Sequence, residues 1–448
     1  LYCFDLLSYV SKQNLISIII SLIPISYVLG TFILNLNILL LILIGLFLYA
    51  KGYRYKMELL DKLIILFFIY ILFTGLWNTV ELKYINQKTN TDYYILNKSF
   101  FFLRYLFLYL TIRLLIEKNL INFKLIFIIY SLAVFLVSVD VIIQFFVGKN
   151  LLGQVSPNTY KVTGVFQDEA IAGGFIQRFS LFLFYTISVF VVTKKTNFKI
   201  YALSVLFLII ILSIIFSGNR MPLILFILSI ILILFTNKTL KKYFLQIFIL
   251  ITIVLTISIY SSPTLKIYYK TFYEQTIKIV SLYSFRMTGI GSELLYNKRP
   301  FYIHEFDSGI STFKLNKFIG GGIKSFRFNC PKRKIENINE RTTCNMHPHN
   351  YYLEILTDLG TFGFLIFLTV LILVLRKSYR LLISSDYKYI YSPFYYIFLM
   401  EIFPLKSSGS FFTTNNSVII FLVLSVLVGY ISKSKIDGGP TGNRTPIR

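Results

Sequence analysis

Long apolar runs, broken by short polar stretches, organise this chain. About twelve runs approach the roughly 20 residues that a helical bilayer crossing needs. They lie near 15–31, 36–50, 60–79, 99–117, 122–146, 170–193, 199–217, 220–236, 243–261, 350–375, 387–405 and 415–432. None alternates with period two, so a barrel is excluded and each run predicts a helix. The first run is followed at once by a second and shows no small-residue cleavage site, so it reads as an uncleaved span. The expected organisation is helices 1–9 over 1–261, a large loop over 262–349, helices 10–12 over 350–432 and a polar tail over 433–448.

Composition agrees with the pattern. Of 448 residues, 56% are apolar and only 15% charged, well below the roughly 25% of a soluble globule. Mean hydropathy is +0.70, which excludes a disordered chain. The 45 Lys and Arg against 20 Asp and Glu give a net charge of +25. A nucleic-acid partner is not expected, because these cations punctuate apolar runs instead of covering one soluble face.

The basic residues set an expected orientation. Loops after even-numbered runs carry most of them, for example Lys51, Arg54 and Lys56, or Arg376, Lys377 and Arg380. By the positive-inside rule those loops, and both termini, are cytoplasmic. The 262–349 loop is then external. It is too long to be a mere connector. It holds all three histidines, His304, His347 and His349, and two of the three cysteines, Cys330 and Cys344. An external compartment makes a Cys330–Cys344 disulfide plausible, against the alternative of two free thiols.

Four local patterns carry candidate chemistry. His347-Pro348-His349-Asn350 stands where the loop re-enters the membrane, and a histidine there can accept a hydroxyl proton near neutral pH. The plainer reading is a helix start with Asn350 as its N-cap. Ser217-Gly218-Asn219-Arg220 forms a tight turn before a helix, where arginine and the helix N-terminus both suit an anion. Snorkelling of Arg220 to headgroups is the equal alternative. Asp168 and Glu169 open the sixth run as capping charges or ligand contacts. Upstream, Asp140 and Gln144 lie within the fifth run, with Arg104 or Arg178 as the expected partner of the buried acid. The external loop adds Arg286, Arg299, Lys324 and Arg327, cations that topology does not require. Gly320-Gly321-Gly322 beside them lets backbone approach a ligand closely. There is no GxxxxGK[ST] loop, no GxSxG elbow and no Asp-x-Asp pair. No cofactor is expected, and any energy source travels with the substrate.

His349-Asn350, nine residues, Gly360, two residues and Gly363 resemble the signature of the O-antigen ligase family, whose superfamily includes the lipid-linked O-antigen polymerases. The turn at 217–220 is similar to that family's arginine turn. The stretches 164–174 and 320–330 resemble its flanking patterns, and the likeness covers roughly 140–415. The resemblance implies an all-α integral membrane protein of the GT-C type, with about 12 transmembrane helices and one large periplasmic loop between helices 9 and 10. It implies a metal-independent, inverting glycosyltransferase of the bacterial inner membrane. The donor would be a glycan on undecaprenyl pyrophosphate and the acceptor a hydroxyl of lipid A-core or another glycan, with membrane lipids around both. His349 corresponds to the family's catalytic histidine and Arg220 to an arginine that binds pyrophosphate. Arg299 is the first choice for a further loop arginine, with Arg327 and Arg286 as rivals. Lys324, Asn350 and Glu169 complete the expected substrate contacts. One departure is Lys161, where the family pattern leads one to expect arginine. Ligation is favoured over polymerisation. A flippase-like transporter is the competing class, although the chain shows no internal repeat.

Overall fold

The structure is a computed structural model and describes residues 2–84, 92–158, 160–190, 196–236, 241, 244–288, 300–333, 344–384, 388–407 and 409–436. Every described element is helical and no strand occurs among these residues. The helices are α1 (Tyr2–Ser21), α2 (Ile23–Leu29), α3 (Thr31–Ala50), α4 (Leu59–Tyr84), α5 (Asp92–Phe102), α6 (Arg104–Glu117) and α7 (Phe123–Val147). They continue as α8 (Ala172–Tyr185), α9 (Thr196–Phe216), α10 (Arg220–Thr236), α11 (Phe244–Ser261) and α12 (Pro263–Thr288). The last five are α13 (Phe301–Phe313), α14 (Phe326–Asn329), α15 (Tyr351–Ser384), α16 (Lys388–Glu401) and α17 (Thr414–Ile436).

Every apolar run coincides with a helical stretch, but not each is a full span. Among the described residues, seven stretches are long and apolar enough to cross a membrane, and α11 with α12 makes an eighth if that pair, bent by 117°, counts as one. The other runs depart from a full span in identifiable ways. The apolar parts of α9 and α10, Tyr201–Phe216 and Arg220–Thr236, are below span length. α16 has 14 residues with Pro393 inside it, and proline removes a backbone bond from a helix interior. α8 gives way after Tyr185 to a π turn over Thr186–Phe190. The stretch expected as one loop, 262–349, opens with the 26 residues of α12 and then carries α13 and α14.

A row of aromatic rings fills the space between helices. Phe68 and Phe102 stack at 5.6 Å, Tyr105 lies parallel to Phe421 at 6.1 Å, and Tyr130 meets Phe182 edge-on at 4.9 Å. α17 is the most enclosed of these spans, 89% buried. It packs against α6. Residues just before α17, among them Gly409, Ser410, Phe412 and Thr413, become a wall of the site.

α15 contains the break that positions the rest. Gly360 has φ 64° and ψ −170° inside the helix, a conformation that favours glycine. The freed backbone is satisfied by an incoming loop: Thr361 N donates to Lys317 O at 2.8 Å and Phe362 N to Phe318 O at 3.3 Å. In return Gly321 N donates to Thr357 O at 3.1 Å and Gly322 N to Asp358 O at 2.8 Å. A side chain at Gly320 would collide with the backbone of Leu359 and Gly360. At Gly320, then, the closely approached backbone is that of α15.

Candidate active site

The docked loop delivers two cations. After Gly322, Lys324 adopts φ 66°, and its N–H donates to the Asp358 carboxylate at 2.7 Å, while Ser325 Oγ donates to the same group at 3.1 Å. Lys324 Nζ then donates to Ser410 Oγ at 2.6 Å and stands 3.8 Å from Glu354. Glu354 itself accepts from Ser410 Oγ and from Phe411 N, each at 2.6 Å. Burial holds the Lys324 ammonium below the usual lysine value, against the pull of Glu354 and Asp358. Arg327, one turn on, faces the Tyr94 ring at 5.9 Å, as does Lys98 at 5.1 Å. The charges of Arg327 and Lys98 both act on Lys324.

Lys98, Lys324, Arg327, Tyr94 and Ser410 line a cavity of about 680 Å³. Glu169, His347, Arg104 and Asn219 also line it. Two further cations on its wall share one carboxylate. Arg178 forms a two-pronged pair with Glu401, at 2.5 and 3.1 Å, and also donates to Asn416 and Tyr27. Lys406 donates to the same Glu401 at 2.6 Å, and burial lowers its ammonium to about 8. Arg178 is therefore not the partner of Asp140, nor is Arg104, which donates to Tyr105 and Thr414 hydroxyls. Asp140 instead accepts from Leu151 N at 2.8 Å, and Gln144 accepts from Gly164 N at 2.6 Å. That pair fixes the loop entering the 164–174 stretch, whose Glu169 is exposed at the cavity.

The histidine motif lies along one edge. Asn350 is the N-cap of α15: its Oδ1 accepts from Tyr352 N at 3.0 Å and Leu353 N at 3.1 Å, and its amide donates to Pro404 O. It is 6% exposed and does not line the cavity. His347 does, and its Nε2 is buried with no hydrogen-bond partner. His349, at φ 51°, packs its ring 4.3 Å from that of His347, and its Nε2 stands 3.7 Å from Glu305 Oε1. Burial, then the neighbouring His349 and the charges of Lys324 and Arg327, push His347 down to about 3. Burial also lowers His349. Both rings are thus neutral bases around neutral pH.

Arg220 begins α10 one residue after Asn219. Its guanidinium turns to α12, donating to Tyr268 O at 2.7 Å and lying 3.6 Å over the Tyr268 ring. Its Nε is buried with no hydrogen-bond partner. Lys161 is close enough that burial and the Arg220 charge together lower its ammonium. Among the described residues no carboxylate pairs with either cation. Two like charges held together in this way suit an anion.

The remaining expected residues divide. Arg286 belongs to the last turn of α12, and Arg299 lies outside the described residues. Cys330 and Cys344 are joined by a disulfide with a Cα–Cα distance of 5.6 Å. That bond ties the turn bearing Arg327 to the segment bearing His347 and His349. Sequence reasoning passed over Lys98 and Glu305. The signal for Glu305 was present: Glu305, Ser308 and Thr312 form a buried polar stripe on α13, spaced for one helix face.

No curated protein matches the sequence. Residues 205–368, from α9 through the cation loop and the histidine motif into α15, match the family model described as O-antigen ligase.

Proposed function

We propose that this protein transfers a glycan from undecaprenyl pyrophosphate to an acceptor hydroxyl at the periplasmic face of the bacterial inner membrane, as a metal-independent, inverting glycosyltransferase. A function within the O-antigen ligase and polymerase superfamily follows from the family match. One observation carries the finer reading: the cavity with Lys98, Lys324 and Arg327 on one wall and the neutral His347–His349 pair at its edge. Pyrophosphate is a good leaving group once its developing charge is neutralised, and preorganised cations do that without reorganising at the moment of reaction. His349 is the group we assign to accept the hydroxyl proton. Arg220 with Lys161, and Lys324 with Arg327, are the two cation pairs available to the pyrophosphate and to anionic groups near the hydroxyl. Arg286 and Arg299 remain further choices for the loop arginine. Asn350 is better explained as the cap that holds His349 at the start of α15.

Ligation to lipid A-core is the favoured reaction, with chain polymerisation the alternative within the superfamily. The test is the lipopolysaccharide of a deletion strain. Long lipid-linked polymer that never reaches core supports ligation; core carrying a single repeat supports polymerisation. Complementation with Arg220→Ala or His349→Ala, at normal protein level, is expected to leave the defect in place. Full restoration by both variants would remove the proposed site.

A further inference from the structure

α13 places a carboxylate behind the proposed base. Glu305 and Gly309 are one turn apart and so share a face. A Cβ at Gly309 would lie 3.3 Å from Pro348 and 3.2 Å from Leu353, so the bare glycine lets α13 lie close against the His-Pro-His segment. Glu305, 4% exposed, is held there by Asn345, whose Nδ2 donates to Glu305 Oε1 at 2.7 Å. The same oxygen stands 3.7 Å from His349 Nε2. A movement of less than an ångström would make this a hydrogen bond, and catalytic hydrogen bonds commonly tighten only when substrate is bound.

We propose that Glu305 is the positioning residue of His349: it takes a hydrogen bond from Nε2, leaves Nδ1 as the ring's free lone pair, and stabilises the imidazolium formed during transfer. The inference rests on the transferase reading above. The acceptor O–H bond breaks and its proton passes to Nδ1. The new bond from that oxygen to the anomeric carbon forms as the bond to pyrophosphate breaks, the electron pair leaving with the pyrophosphate. Glu305 stays ionised throughout and touches no substrate.

The charges around the pair fit this role. From its own segment His349 faces His347, and from α13 it faces Glu305. Lys324 and Arg327 act on His347 from the cation loop. On α15 the nearest acid, Glu354, is occupied by Ser410, Phe411 N and Lys324. Burial pushes the Glu305 carboxyl up to about 7, opposed by the Asn345 hydrogen bond. The ionised form that the role needs is therefore lost as pH falls through about 7.

The test uses the full protein in proteoliposomes, supplied with undecaprenyl-pyrophosphate-linked glycan and acceptor glycolipid from a strain lacking the enzyme. Glu305→Gln is expected to lower kcat about 100-fold with little change in KM for the donor, in line with general-base contributions. Its acid limb in kcat/KM moves to lower pH, because an imidazolium without its carboxylate is less stable. Glu305→Asp restores part of kcat. Asn345→Ala, which leaves the carboxylate in place, moves the limb to higher pH, since the bond that favours ionisation is gone. An active, folded Glu305→Gln with an unmoved limb overturns the proposal, as does a uniform loss of kcat and KM with an unmoved limb. Should Glu305→Gln fail to fold, an unmoved limb in Asn345→Ala has the same force. A fully active His349→Ala points elsewhere: it sinks the assignment of the base itself.

Discussion

At the scale of single residues, the same side-chain type does different work according to what lies beside it. Arg178 and Lys406 line the cavity but share one carboxylate, Glu401, which holds both side chains against the wall. Lys98 and Arg327 face an aromatic ring and retain their attraction for an anion. The two histidines differ as well, because His347 borders the cavity while His349 borders Glu305. Burial and neighbouring cations push His347 down to about 3, whereas an unfolded histidine titrates near 6.5. Below about 6.5 the unfolded chain therefore binds a proton that the folded one refuses, so this residue destabilises the fold progressively as pH falls from 6.5 toward 3. His347→Asn is expected to flatten the decline of thermal stability over that window in detergent. An unchanged slope would show that His347 protonates freely in the folded protein.

At the scale of elements, the apolar runs were legible because span length and absence of alternation are local properties. The breaks within them were not, since a π turn, a proline and a bend of 117° depend on how the helices pack. The site shows the same division. His349, Lys324 and Arg327 stood out by motif and charge. That Asn350 caps α15, that Asp140 holds a backbone N–H and that Glu305 meets His349 are results of which helices lie together. The triple glycine is the instructive case: as a sequence it suggests room for a ligand, whereas at Gly320 it serves the junction with the Gly360 break. Gly360→Ala should then strain a left-handed backbone, costing about 1–3 kcal/mol, and displace the loop that carries Lys324. A clearly lowered melting temperature together with weaker glycan transfer is expected. Gly320→Ala should behave alike, and the double variant should fall short of the sum, because both remove one junction. Full additivity would mean that the two glycines act separately.

At the scale of the whole molecule, the charge excess resolves into two populations. One punctuates the apolar runs, as the orientation rule requires. The other forms two groups: Lys98, Lys324 and Arg327 line one cavity, brought there from α5 and the loop docked on α15, while Lys161 lies near Arg220 at the start of α10. The disulfide between Cys330 and Cys344 closes this arrangement by holding the cation turn against the histidine segment. Several apolar helices together with the family match point to a multi-pass bacterial membrane protein. The central claim is that the cations receive a lipid-linked pyrophosphate while His349 activates a hydroxyl. Its most direct test is transfer by purified protein in proteoliposomes, with undecaprenyl-pyrophosphate-linked glycan as sole donor and the anomeric configuration of the product read by NMR. An inverted linkage is expected, undiminished by chelators and abolished by His349→Ala. A retained configuration, or normal transfer by His349→Ala, would contradict it.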